Sequence, residues 1–138
     1  MSGSYGAGDS MIFDTDVLIW FLRGDVAAAR LIEAQSDRAI SVVSAMELLQ
    51  GARSRDEIRT IHQFMQQSGI RLVPVTESIS HVALSLIEAY ALSAGLRVAD
   101  ALIAATAHET AVPLATANAR HFKSIAGLEV KAFRPQAG

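Results

Sequence analysis

The chain has 138 residues, of which 51% are hydrophobic and 19% are charged, and its formal net charge is −2. This size and composition are typical of one globular domain with a continuous core, and the charge excludes a strongly basic nucleic-acid binder. The sequence has no cysteine and no apolar run near the roughly 18 residues of a membrane span, which excludes disulfides, thiolate metal sites and a membrane helix and favours a cytoplasmic protein.

Residues 1–10 are small and polar, and we interpret them as an expression scar or a flexible leader, with one domain at 11–138. From Met11 onward, short apolar runs alternate with helical patterns. Strands are predicted at 11–14, 39–43, 70–75, 113–116 and 128–133. Helices are predicted around Trp20 and at 26–35, 44–50, 56–67, 77–94 and 98–110, with a single turn at 119–122. This alternation predicts an α/β fold, a three-layer α/β/α sandwich with a mostly parallel central sheet.

Acidic and polar residues stand where the predicted strands end. Asp14 closes the first strand, Glu47 lies in the first helical turn after the second, and Asp100 lies in the first turn of a long helix. Thr116 and Asn118 come at the end of the fourth strand and just beyond it. Because the carboxyl ends of parallel strands meet at one edge of a sheet, where ligands bind, we expect these side chains to converge.

Each acid also has an ordinary structural explanation. Ser44 and Glu47 have the spacing of a capping box, in which the serine caps the helix and the glutamate reaches back. Asp100 complements a helix dipole, and Asp14 could cap the helix that follows it. Asp14, however, lies in an otherwise apolar segment with no adjoining cation, and a carboxylate is costly to bury unless it is paired or bound to an ion.

Converging carboxylates repel one another, so a site built from them requires a divalent cation. Hard oxygen ligands select Mg²⁺ or Mn²⁺. Such an ion lowers the pKa of water and offsets charge that develops on a phosphate. The acids therefore indicate phosphodiester or phosphomonoester chemistry.

Four segments of the chain resemble the motifs of PIN domains, in particular the VapC-type toxins of bacterial toxin–antitoxin pairs. The similarity covers about residues 11–135, and the motifs occur in the order of the family. The matching segments are IFDTDVLI at 12–19, SAMEL at 44–48, ADALIAA at 99–105 and LATANARHF at 114–122.

The resemblance implies a PIN-like fold and a Mg²⁺- or Mn²⁺-dependent endoribonuclease. It implies that Asp14, Glu47 and Asp100 hold the metal and carry catalysis, and that Thr116 and Asn118 orient these acids. It further implies a cognate antitoxin that blocks the site, a homodimer, and an RNA substrate for which transfer RNA is a plausible class.

The last motif departs from the family pattern, because His121 occupies a position where a further acid is frequent. His121 could ligate metal, contact phosphate or lie at the rim of the site; we favour the rim. Asp16 points away from Asp14 if the first strand continues, and it joins the site if the chain has already turned. Arg120 and Lys123 could contact the RNA backbone, an expectation that rests only on their nearness to the motif.

Three other functions compete with this interpretation. A haloacid-dehalogenase-type phosphatase also opens with an Asp-x-Asp pair, but it requires a later lysine and a closing acidic pair, and no such pair follows Lys123. A metal-free ribonuclease would need two histidines, whereas only His121 lies near a predicted strand end. A catalytically weak relative that only binds a partner is the third alternative.

Overall fold

The computed structural model describes residues 9–136. The strands are β1 (Ser10–Phe13), β2 (Asp37–Ser41), β3 (Arg71–Val73), β4 (Leu114–Thr116) and β5 (Val130–Ala132). The helices are α1 (Thr15–Leu22), α2 (Val26–Glu33), α3 (Val42–Gln50), α4 (Arg55–Gln67), α5 (Glu77–Ala94) and α6 (Val98–Thr110), followed by a 3-10 turn (Ala119–His121). All five strands are parallel and lie in the order β3-β2-β1-β4-β5.

The pleat of the central strands sends alternate side chains to two separate cores. Ile12 and Leu114 pack with α5 and α6 on one face of the sheet. Phe13 and Ala115 pack with α1, α2, α3 and α4 on the other face. These strand residues are fully buried, as expected for a parallel sheet that is covered on both sides. The predicted α/β/α sandwich is therefore confirmed.

The start of the sheet differs slightly from the prediction. Ser10 pairs with Asp37 and belongs to β1, so the ordered strand begins one residue before the predicted domain. The backbone oxygen of Asp9 also accepts a hydrogen bond from Asp37 N. Residues 1–8 of the predicted leader lie outside the described part of the chain.

The junction between β2 and α3 corrects two predictions. The strand was expected to continue to residue 43, but it ends at Ser41, whose hydroxyl accepts a hydrogen bond from Val43 N and caps α3. Val42 and Val43 favour strands because they are β-branched, and this cap overrides that preference. Ser44 is therefore an interior helix residue, and the predicted capping box with Glu47 is absent.

The two helices on the α5–α6 face begin and end at the predicted residues. Thr76 caps α5, and Gly95 ends it with a φ of +68°, which favours glycine. α6 is rich in alanine, and its fully buried small side chains allow this helix to pack closely between α5 and the sheet. This packing places the first turn of α6, with Asp100, beside the carboxyl ends of the strands. None of the helices in the described chain is long and apolar enough to cross a membrane.

Candidate active site

Asp14 lies at the junction where β1 becomes α1. Its backbone N–H donates to Ala115 O at 2.8 Å, which holds the end of β1 against β4. The residue as a whole is 7% exposed. Oδ1 accepts from Thr15 N at 2.8 Å, and Oδ2 accepts from Thr116 Oγ1 at 2.8 Å. Asp14 thus caps α1, as one interpretation expected, and it also contacts the neighbouring strand end.

Thr116 connects Asp14 with the other polar groups at the end of β4. Its fully buried hydroxyl accepts from Asn118 N at 2.9 Å and lies 3.4 Å from Asp16 Oδ2. A hydroxyl has one proton to donate, and the shorter distance assigns that proton to Asp14. The predicted neighbourhood of Asp14 and Thr116 is therefore present in the structure.

Asp16 lies beside Asp14, because the chain has already turned into α1. Both oxygens of the Asp16 carboxylate lie 3.2 Å from Ala117 N, which donates to them. The side chain therefore faces the end of β4. Of the two orientations considered for Asp16, the structure shows the one that brings it to the acids.

Glu47 lies in the second turn of α3 and meets α1 through a residue that the sequence analysis missed. Thr15 Oγ1 donates to Glu47 Oε1 at 2.6 Å. Thr15 directly follows Asp14 in the sequence, and its polarity in an apolar segment was the only available signal. Nothing in the sequence connects it to a residue 32 positions away.

Asp100 and His121 form the opposite side of the site. Asp100 Oδ2 accepts from Arg97 N at 3.3 Å, which is the backward hydrogen bond of a helix cap, and lies 3.9 Å from His121 Nδ1. The same ring nitrogen lies 2.9 Å from Asn118 Nδ2, an amide donor, so it accepts a hydrogen bond. His121 is half-buried at the edge of the acids. The Asn118 side chain contacts His121, and it is the Asn118 backbone that contacts Thr116.

These elements surround an open groove of about 470 Å³ at the carboxyl edge of the sheet. The groove has no lysine, arginine or histidine in its lining, as far as residues 9–136 show. Arg120 and Lys123 are exposed and do not line it. The lining residues are Asp14, Thr15, Asp16, Ile19, Glu47, Gln50, Gly51, Asp100 and Asn118.

The profile of the PIN domain matches residues 11–128. The chain belongs to the PIN-domain family. Ribonuclease VapC10 of Mycobacterium tuberculosis is 38% identical over 135 residues, which cover 92% of this chain and 99% of the relative. A chain of the toxin–antitoxin complex from Klebsiella pneumoniae is 29% identical with a TM-score of 0.74, covering 89% of this PIN domain and 97% of that chain. A chain of the DNA-bound VapBC from Salmonella typhimurium shares the fold, with 21% identity, a TM-score of 0.76 and coverage of 89% and 97%.

Without a cation, the ionised forms of Asp14 and Asp16 in this PIN domain are unfavourable. Burial, followed by the charge of Asp16, raises the pKa of Asp14 from 3.8 to about 7, although hydrogen bonds from Thr116 and Thr15 oppose the shift. Asp100 raises it further. Burial also raises the pKa of Asp16. A nearby positive charge would favour the ionised form of both groups.

The donor set of this PIN domain fits a hydrated hard cation. All four acids in the groove offer carboxylate oxygens, which suit Mg²⁺ or Mn²⁺. Within the described residues, no three carboxylate or imidazole groups lie close enough together to hold an ion directly. Mg²⁺ is commonly held by one or two carboxylates while it keeps several waters. The arrangement therefore suits an ion bound partly through water.

Proposed function

We propose that this PIN domain is a Mg²⁺- or Mn²⁺-dependent endoribonuclease and the toxin of a toxin–antitoxin pair. The observation that carries the proposal is the buried carboxylate of Asp14, which accepts from the Thr116 hydroxyl and lies beside Asp16 in a groove lined by acids. The similarity to Ribonuclease VapC10 supports RNA as the substrate. The similarity to the toxin–antitoxin complex from Klebsiella pneumoniae supports an antitoxin as the partner.

In this proposal Asp14, Glu47 and Asp100 would hold the ion, partly through its bound waters, and are the catalytic acids. When bound, the ion supplies positive charge that promotes the ionisation of water and offsets charge on the phosphate during in-line attack. The products are a 5′-phosphate and a 3′-hydroxyl. Asp16 joins the acids and adds negative charge beside Asp14.

The protein's own contribution is to keep these oxygens in place. Thr116 orients Asp14, and its buried position gives the hydroxyl little freedom to turn elsewhere. The Asn118 backbone supports Thr116, and the Asn118 side chain supports the His121 ring. We assign His121 to the rim of the groove, and Arg120 and Lys123 to contacts with the RNA backbone outside it.

The antitoxin would act by covering the acid groove, and the toxin itself would form a homodimer. Transfer RNA is the substrate class that we propose. Light scattering over a range of protein concentrations tests the dimer. A monomer at every concentration would reject that part of the proposal, whereas a mass of two chains would support it.

The structure lends no support to the phosphatase and metal-free alternatives. Lys123 is exposed and outside the groove, although a haloacid-dehalogenase-type enzyme would need a lysine beside its first acid. In the described chain no histidine lines the groove, although two would be required for metal-free attack by the 2′-hydroxyl. An inactive partner-binding module differs from our proposal in its lack of cleavage, which the following experiment measures.

The test is to incubate purified protein with total RNA, with and without Mn²⁺, and to map the cut ends. We expect cleavage that requires Mn²⁺ and fragments with 5′-phosphates. Cyclic phosphates at the 3′ ends would indicate attack by the 2′-hydroxyl, and intact RNA would favour the inactive module. A separate phosphomonoester assay tests the phosphatase, which would hydrolyse that substrate and leave the RNA uncut.

A further inference from the structure

Thr15 contacts two of the proposed metal-holding acids at once. Its backbone N–H donates to Asp14 Oδ1 at 2.8 Å, and its hydroxyl donates to Glu47 Oε1 at 2.6 Å. The residue is 8% exposed, so solvent gives its hydroxyl little alternative to this bond. Thr15 therefore spans the gap between the end of β1 and the middle of α3.

The Thr15 hydroxyl limits the movement of Glu47, whose side chain is longer and more flexible than that of an aspartate. In residues 9–136, Thr15 is the hydrogen-bond partner of the Glu47 carboxylate, and it engages only Oε1. Threonine is β-branched and therefore restricted at χ1, and the hydrogen bond to Glu47 selects one of its few allowed rotamers. A hydrogen bond from a stiff, buried donor restricts the rotamers that Glu47 can adopt.

We infer that Thr15 is a positioning residue that fixes the Glu47 carboxylate relative to Asp14. The inference rests on the proposed function, in which these two acids hold the same ion. Through its two donors, Thr15 engages one oxygen of each acid, and Thr116 engages the second oxygen of Asp14. Asp14 Oδ1 and Glu47 Oε1 are held by Thr15, which leaves Glu47 Oε2 available to a cation or its water.

The decisive variants are Thr15→Val and Thr15→Ser. T15V has nearly the same shape and keeps the backbone donor to Asp14, but it lacks the hydroxyl. T15S keeps the hydroxyl and loses a methyl group. Groups that orient metal ligands typically change affinity or activity by about 10- to 100-fold when removed. We expect T15V to weaken Mn²⁺ binding and to lower kcat within about that range, with little change in KM, and T15S to stay within about three-fold of the wild type.

Mn²⁺ binding is measured by electron paramagnetic resonance in the absence of RNA, so it does not depend on catalysis. Thermal unfolding in EDTA verifies that each variant is folded, and Thr15→Ala replaces T15V if that variant does not fold. Thr110→Val is the matched control, because its hydroxyl bonds to backbone at the far end of α6. We expect the control to bind Mn²⁺ like the wild type.

A double-mutant cycle with Glu47→Ala separates positioning from packing. If Thr15 acts through Glu47, adding T15V to E47A changes Mn²⁺ affinity by less than about two-fold. Full additivity of the two substitutions would overturn the inference, as would equal losses in T15V and T15S or wild-type binding by T15V. If T15V weakens Mn²⁺ binding but neither the wild type nor any variant cleaves RNA, the proposed function fails while the positioning role stands. If the wild type cleaves RNA and T15V binds Mn²⁺ and cleaves RNA like the wild type, the positioning role fails while the proposed function stands.

Discussion

Replacing Asp14 with asparagine should stabilise the metal-free protein at neutral and higher pH. The pKa of Asp14 is raised from 3.8 to about 7 in the folded chain, chiefly by burial and then by Asp16. Between these two values the folded protein binds a proton that the unfolded chain has released, so stability falls as the pH rises. One pKa unit corresponds to about 1.4 kcal/mol, so ionising Asp14 removes about 4 kcal/mol of stability in all, of which about 2 kcal/mol is lost between pH 5 and pH 7.

The hydrogen bonds of Asp14 reduce the expected gain. The amide oxygen of D14N can still accept from Thr15 N, but the oxygen that accepts from Thr116 is replaced by an NH₂ group. Loss of that bond costs about 1 kcal/mol. We therefore expect D14N to exceed the wild type by about 2 to 3 kcal/mol at pH 8 and to lie within about 1 kcal/mol of it at pH 5.

Urea unfolding in EDTA at both pH values measures this difference. Asp56→Asn is the control, because that carboxylate is exposed in an ion pair with Arg59 and should keep the pH dependence of the wild type. Adding Mg²⁺ at about 100 times its Kd should stabilise the wild type by about 2.7 kcal/mol and D14N by much less. The reasoning is refuted if D14N is less stable than the wild type at pH 8, or if wild-type stability does not fall between the two pH values.

Three further predictions test other parts of the site and its support. Thr116→Val should reduce cleavage by about 10- to 100-fold, because it removes the donor to Asp14, whereas Thr116→Ser keeps the hydroxyl and should retain most of the rate. Equal rates for the two variants in a cleavage assay would contradict this. His121→Asp places a further acid near Asp100, so calorimetry should show Mn²⁺ binding that is several-fold tighter than in the wild type. The added negative charge should also lower the melting temperature in EDTA. An unchanged Mn²⁺ affinity would argue against a metal site beside Asp100 and His121. Ser41→Ala should lower the free energy of unfolding in urea by about 1 kcal/mol, because Ser41 caps α3. Ser44→Ala should be neutral or stabilising, since the buried Ser44 hydroxyl has no hydrogen-bond partner in the described structure. A larger loss for Ser44→Ala than for Ser41→Ala would instead support the predicted capping box.

The two helices on the α5–α6 face were predictable from sequence in full. Their bounds are the predicted ones, because Gly95 ends α5 and no glycine or proline interrupts the alanine-rich segment 98–110. The placement of Asp14 followed from an apolar run that ends in an acid. The β2–α3 junction was mispredicted, since Val42 and Val43 favour strands locally and the Ser41 cap decides the helix start.

The site itself was only partly predictable. Parallel-sheet geometry placed Asp14 and Thr116 together, because adjacent strands end at the same edge. The orientation of Asp16 depends on the exact residue at which α1 begins, and sequence patterns do not locate a helix start to within one residue. The hydrogen bond between Thr15 and Glu47 depends on how α1 packs against α3, and no local pattern encodes that distance.

The most direct test of the central claim is the Mn²⁺ dependence of RNA cleavage by the wild type and D14N. One RNA that total-RNA mapping identifies is incubated with each protein, in Mn²⁺ and in EDTA, and the initial rates are compared. If the acids at the strand ends hold the catalytic ion, the wild type cleaves only with Mn²⁺ and folded D14N does not cleave. Undiminished cleavage in EDTA, or by D14N, would contradict the account.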